Sequence, residues 1–160
     1  MKNILSNDPS PYLQQHKNNP VHWQTWSRES LNQAKTEKKP ILLSIGYASC
    51  HWCHVMAHES FEDQTTADLM NKYFVNIKVD REERPDIDFI FQSSFQLFNQ
   101  SGGGWPLTMF LDENGVPFMG GTYFPKHEHH GLPAFKTVLQ RVFDVYSQQR
   151  NKIIEQIIWI

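Results

Sequence analysis

Cysteine is scarce in this chain: two residues, Cys50 and Cys53, among 160. That is no framework for stapling a small secreted fold, and in a reducing compartment a close pair is more often catalytic or metal-binding than structural. An excess of charge of either sign is missing too, with 15 basic residues against 17 acidic and a formal net charge of -2. No cationic field is available to hold a phosphate backbone, so nucleic acid is not an expected partner. Long apolar runs are lacking as well. No stretch approaches the roughly 20 apolar residues that span a bilayer, and Met1 to His16 has no apolar core of an export signal. The expectation is a cytoplasmic protein without a membrane partner. What is present is apolar content of 39% with 13% aromatics, enough to bury the core of one domain.

Residues 1–160 read as one domain with an arm over 1–24, a core over 25–150 and the end of a C-terminal helix over 151–160. Met1 to Pro20 is polar and carries Pro9, Pro11 and Pro20. This predicts an extended arm with a short helical turn near Tyr12 to His16 and little core of its own, its tryptophans packed onto the main body. Trp23, Trp26, Leu31 and Ala34 recur at helical spacing, which predicts a helix from Thr25 to Lys38 ended by Pro40. Ile41 to Ile45 has the composition of a buried strand, and a helix is expected from His51 to Lys72. Phe74 to Val79 predicts a second strand, followed by the charged turn Asp80 to Arg84. Pro85, with Asp86 and Asp88 in the first turn, opens a helix running to Phe98. Gly102 to Gly104 breaks it and acts as a hinge, because no Lys-Ser/Thr follows to make a phosphate cradle. Pro106 to Leu111 and Phe118 to Tyr123 then form an antiparallel hairpin across Asp112 to Gly115. Leu132 to Ile160 is one long helical pattern.

The chemistry concentrates in Ser49-Cys50-His51-Trp52-Cys53-His54. Two residues between cysteines let one helical turn bring the sulfurs together. At a helix N-terminus the free backbone N–H groups and the dipole favour a thiolate, lowering the first thiol from about 8.5 toward roughly 3.5–7.5. Cys50 is therefore the expected nucleophile and Cys53 the resolving thiol. A cationic His51 between them stabilises the reduced form further and makes the pair more oxidising. Other readings of the same residues stay open. The pair could be an inert structural feature, or Cys50 and Cys53 could bind a metal with His54 or His58, and His127, Glu128, His129 and His130 form a second cluster of donors. Cys50-x-x-Cys53-His54 also fits the haem attachment pattern, but covalent haem requires export, and no resident cofactor is expected.

A second element arrives far along the chain as Trp105-Pro106, a proline that opens a strand directly after Gly104. Strand, C-x-x-C, helix, strand, helix, proline-led hairpin and helix together resemble thioredoxin-like folds, which keep a cis-proline beside the sulfurs. Such a bond would turn the backbone of Trp105 toward a bound peptide or thiol. Trp52, Trp105, Gly104 and Tyr123 are the candidate groove residues, with Pro106 beside the cysteines.

The stretches Ser10-Pro11-Tyr12-Leu13, Ser44-Ile45-Gly46-Tyr47, Cys50-His51-Trp52-Cys53-His54-Val55-Met56, Lys78-Val79-Asp80-Arg81-Glu82-Glu83-Arg84-Pro85-Asp86, Gly103-Gly104-Trp105-Pro106-Leu107 and Gly120-Gly121-Thr122-Tyr123-Phe124-Pro125 resemble the DUF255 thioredoxin-like family, which includes YyaL-type and spermatogenesis-associated thioredoxin-like proteins. The resemblance implies a three-layer α/β/α thioredoxin-like fold with a central mixed sheet, extended by the N-terminal arm and helix. It also implies a disulfide oxidoreductase site acting on protein or small-molecule thiols and disulfides. The alternative is a non-catalytic interaction module. Longer members continue into an α/α-barrel domain, and the apolar Ile153-Ile154 and Ile157 to Ile160 would suit contact with such a domain or with a second copy. Ordinary thioredoxins carry a buried acid six residues before the first cysteine. Here that position is Ser44, so proton transfer would need His51, His54 or Glu59.

Overall fold

The apolar run that opens the core becomes the central strand of a four-stranded sheet. The computed structural model describes residues 1–100 and 102–148. Strand β1 (Ile41–Gly46) lies fully buried between β2 (Val75–Asp80) and β3 (Leu107–Leu111), and β4 (Pro117–Gly121) completes the order β2-β1-β3-β4. The β1–β2 pair is parallel, with Leu43 opposite Ile77 and Ser44 opposite Lys78, whereas β3 runs antiparallel to both β1 and β4. Side-chain alternation splits the core into two layers. Ile41, Leu43, Ile45, Val75, Ile77 and Val79 face α2 (Arg28–Glu37) and α5 (Pro85–Asn99), meeting Ala34, Ile87, Phe91 and Phe95. Leu42 and Phe110 face the other way, toward α3 (His51–Met56), α4 (Gln64–Tyr73) and α6 (Phe135–Gln148). The long C-terminal helix expected from Leu132 begins at Phe135. Its expected end over 151–160, with the apolar contact surface from Ile153 to Ile160, lies outside the described residues.

The helix expected as one piece from His51 to Lys72 is interrupted. After α3 the backbone widens into a π turn at Ala57–Phe61, and a new helix starts behind Asp63. The Asp63 carboxylate accepts the Thr66 backbone N–H at 3.0 Å and the hydroxyls of Thr65 and Thr66 at 2.7 Å each, an N-cap strong enough to restart the helix. Those donors hold its carboxyl far below the usual range.

The N-terminal segment contains the expected short turn, now helix α1 (Pro11–Gln14) capped by Ser10, and packs Trp23 onto the main body, but it carries far more core than expected. Leu5, Tyr12, Val21 and Trp23 are completely buried and Leu13 nearly so. Gln24 exchanges backbone hydrogen bonds with Asn76 and Lys78, covering the free edge of β2. The segment thereby roofs a polar stripe, Asn76, Lys78 and Asp80. Asp80 accepts the Ser10 hydroxyl at 2.7 Å, and Lys78 Nζ donates to Ser44 Oγ at 2.8 Å. The Lys78 amine is enclosed by the rings of Phe61, Trp23 and Tyr12, at 4.5, 5.0 and 5.2 Å from their centroids. Burial holds its pKa well below the ordinary value for lysine.

His16 sits in the same roof, its Nδ1 paired with Asn19 Oδ1 at 3.1 Å and its ring edge-on to Tyr12. Burial pushes its pKa down to about 2. The unfolded chain takes up a proton below pH 6.5 that the folded chain refuses, so stability falls as the solution is acidified. Between pH 6.5 and pH 4.5 this one side chain should contribute a slope that rises from about 0.7 to about 1.4 kcal/mol per pH unit. Urea unfolding of wild type and His16→Gln across that range checks it, and parallel curves would refute the assignment.

Candidate active site at the end of the central strand

Strand β1 delivers its last residues into the loop Tyr47 to Ser49, and the next residue is the N-cap of α3. That N-cap is Cys50. Its Sγ accepts the Cys53 backbone N–H at 3.2 Å, placing a sulfur where a capping oxygen would ordinarily sit. Cys50 and Cys53 are joined as a disulfide, with Cα atoms 5.3 Å apart. Access is narrow, since Cys50 is 3% exposed and Cys53 1%.

The neighbours of the pair divide into an outer wall and an inner floor. On the outer side Trp52 is half exposed and packs 5.0 Å from the Tyr123 ring, and His51 lies edge-on to Trp52. The Tyr123 hydroxyl donates to Glu59, and burial together with that carboxylate pushes the phenol up to about 12. His54 Nε2 pairs with the Ala48 carbonyl at 2.7 Å, so its ring is held by the loop. Of the other candidate donors, His58 pairs with Glu62 at 3.0 Å, and the His129 and His130 rings meet at 3.6 Å with a 54° tilt. Among the described residues no group of three His, Cys, Asp or Glu side chains is arranged to hold a metal ion.

Facing this wall is the segment after the glycines. The Trp105–Pro106 peptide bond is cis. Trp105 is anchored by its indole N–H, which donates to Asp88 Oδ1 at 3.0 Å, and by the Arg81 guanidinium 4.3 Å over its ring. Gln92 holds the Gly104 carbonyl at 3.0 Å. A cleft of about 650 Å³ lies between the walls, lined by Trp52, Glu59, Gly104, Trp105 and Tyr123 among others. Four of the residues singled out from sequence thus share one cleft. Among its described lining residues neither cysteine appears, so the cleft runs alongside the disulfide, and Pro106 is buried behind Trp105.

The inner floor holds what sequence reasoning missed. Gly46 allows a close approach there: a Cβ at this position would stand 2.6 Å from Cys53 Sγ and closer still to the Tyr12 hydroxyl oxygen. Tyr12 therefore packs against the buried face of the redox pair. Arg81, in the charged turn, and Asp88, in a helix start, hold Trp105 in place. Tyr12 and Arg81 lie in stretches that carry the family resemblance, but nothing local shows their roles, because their partners lie far along the chain.

Comparison with known proteins gives three findings. The family model described as "Protein of unknown function, DUF255" matches residues 2–159. Spermatogenesis-associated protein 20 of Rattus norvegicus is 47% identical over 153 residues, which is 96% of this chain and 19% of that protein. The chain thus spans about a fifth of the length of the curated relatives it matches. Among solved structures, a DsbH oxidoreductase superposes with a TM-score of 0.57 at 17% identity, covering 80% of this chain and 85% of the other. A thioredoxin from Thermus thermophilus superposes at 0.51 and 16%, covering 77% and 87%. The mixed sheet with helices on both faces is a thioredoxin-like α/β fold.

Proposed function

Because the chain belongs to the DUF255 family and carries a C-x-x-C pair on a thioredoxin-like fold, we propose that this domain catalyses thiol–disulfide exchange through Cys50 and Cys53. The observation that carries the reading is the disulfide itself, formed at a helix start with the Cys53 N–H aimed at Cys50 Sγ. In the reduced protein that N–H and the helix dipole favour a Cys50 thiolate. The thiolate attacks one sulfur of a substrate disulfide, forming a Cys50–substrate disulfide and expelling the other substrate sulfur as a thiolate, which takes a proton from solvent. Cys53 then loses its proton, attacks Cys50 Sγ and expels the second substrate thiol, which takes up that proton. Two electrons pass from the cysteine pair to the substrate, and the same steps reversed would oxidise a dithiol.

The cleft supplies the surface on which a substrate would lie. Trp52, Trp105 and Tyr123 offer aromatic faces, and Gly104 with Trp105 offers backbone groups next to the cis-proline, which suits an extended peptide or a small thiol. One solved protein of similar fold is a DsbH oxidoreductase. No metal or bound cofactor is required by these steps.

Trapping distinguishes the two thiols. Cys53→Ser should accumulate a mixed disulfide with glutathione or a reduced-and-reoxidised peptide, whereas Cys50→Ser should accumulate about tenfold less under the same conditions. Equal trapping by both variants, combined with failure of the wild type to reduce insulin, would remove the exchange reading.

A further inference from the structure

Buried cysteines ionise reluctantly, because burial in low dielectric disfavours the charged form. Cys53 is 1% exposed, yet the resolving step requires it to act as a thiolate. Something on its inner side must stabilise that charge. In thioredoxin-like terms the expected place is Ser44, whose hydroxyl oxygen accepts the Lys78 amine and whose O–H makes no hydrogen bond to Cys53 among the described residues. The groups weighed from sequence are also placed elsewhere: His51 lies against Trp52, His54 is bonded to Ala48, and Glu59 is bonded to Tyr123. Asp80 is engaged by Ser10 and by the Glu82 backbone N–H.

Of the buried polar atoms left without a partner among the described residues, His16 Nε2, Ser60 Oγ, Asn76 Oδ1 and the Tyr12 hydroxyl, the last shares the space at Gly46 with Cys53 Sγ. The Tyr12 hydroxyl is completely buried and has no hydrogen-bond partner among the described protein atoms. It flanks the same small space above Gly46 as Cys53 Sγ, with oxygen and sulfur no more than about 5 Å apart and not hydrogen-bonded while the disulfide is closed. We propose that Tyr12, delivered by the N-terminal segment, donates the hydrogen bond that stabilises the Cys53 sulfur in the reduced protein and so sets the redox balance of the pair. This inference rests on the exchange reading above.

The chemistry favours one oxidation state. A disulfide sulfur is a poor acceptor, which leaves the buried hydroxyl uncompensated while the Cys50–Cys53 bond is closed. Once the bond opens, the same O–H faces a thiol or thiolate, and a hydrogen bond to a charged sulfur is the strong kind. Tyr12 therefore helps the reduced form more than the oxidised form, raising the potential and making the pair more oxidising. Burial and the nearby Asp80 charge hold the phenol far above its ordinary pKa, which keeps its proton in place. It acts as a donor throughout, and the proton lost by Cys53 leaves with the departing substrate thiol.

Tyr12→Phe removes one oxygen and keeps the ring. Equilibration of wild type and variant with glutathione buffers should show the variant's disulfide favoured about tenfold, a potential about 30 mV more reducing. Release of a preformed mixed disulfide by Cys53 should slow by a similar factor. Attack by Cys50, measured in the Cys53→Ser background with and without Tyr12→Phe, should be unchanged, and this reports that the site remains intact. An unshifted or opposite equilibrium constant with unchanged release would overturn the role of Tyr12 and leave the exchange reading standing. A wild-type pair that does not equilibrate with glutathione at all would overturn both.

Discussion

Deleting residues 1–24 is expected to leave a chain that cannot fold. The segment places Leu5, Tyr12, Leu13, Val21 and Trp23 in the core, none more than 4% exposed. Each such side chain contributes about 1.5–3 kcal/mol by leaving water, so together they supply on the order of 10 kcal/mol, comparable to the roughly 5–15 kcal/mol by which a domain is stable at all. The loss would not stop at apolar area. Without the segment Asp80 would lose the Ser10 hydroxyl, the edge of β2 would lose Gln24, and the rings of Tyr12 and Trp23 would no longer cover Lys78. Circular dichroism and a thermal melt check the expectation. A truncated protein that still melts cooperatively within a few degrees of the full chain would show that the segment is peripheral after all.

Why the sequence hides this is a matter of range. The proline-rich start has no periodic pattern of its own, and its value comes from partners such as Asp80, 70 residues from Ser10. The alternation Val75-Asn76-Ile77-Lys78-Val79-Asp80 reads as a strand, and the strand is correct, but alternation says nothing of what covers its polar side, which here is buried. The cover is supplied by chain that looks like an arm. By contrast β1 is legible because a run of apolar residues between Pro40 and Tyr47 has few alternatives to a central strand. The Cys50-x-x-Cys53 spacing and the proline opening β3 were legible for the same reason, since each is a local constraint on backbone and sulfur geometry. The break between α3 and α4 falls between these cases. Asp63 followed by Thr65 and Thr66 is a local cap signal, but it sits inside an amphipathic stretch whose periodicity masks it. The inner floor of the site was the least visible part, for it is assembled from α1, β1 and α3 and needs all three in place before Tyr12 meets Cys53.

That floor also explains why position 46 carries no side chain. A Cβ there would overlap both Cys53 Sγ and the end of the Tyr12 ring, and neither can retreat, because both are packed into the core. Gly46→Ala should therefore destabilise the domain by about 1–3 kcal/mol through overpacking. It should also push Cys53 away from Cys50, so that the intramolecular disulfide forms less readily at any given glutathione ratio. The two effects can be separated from a general loss of packing by adding Tyr12→Phe, which removes the closest of the clashing atoms. In the double variant the phenol oxygen is gone while the overlap with Cys53 remains, so stability should recover by about 1 kcal/mol relative to the sum of the single changes, while the disulfide should form less readily than in Tyr12→Phe alone. Purely additive unfolding energies would mean that Gly46, Tyr12 and Cys53 do not meet as described, and the donor role of Tyr12 would lose its geometric basis.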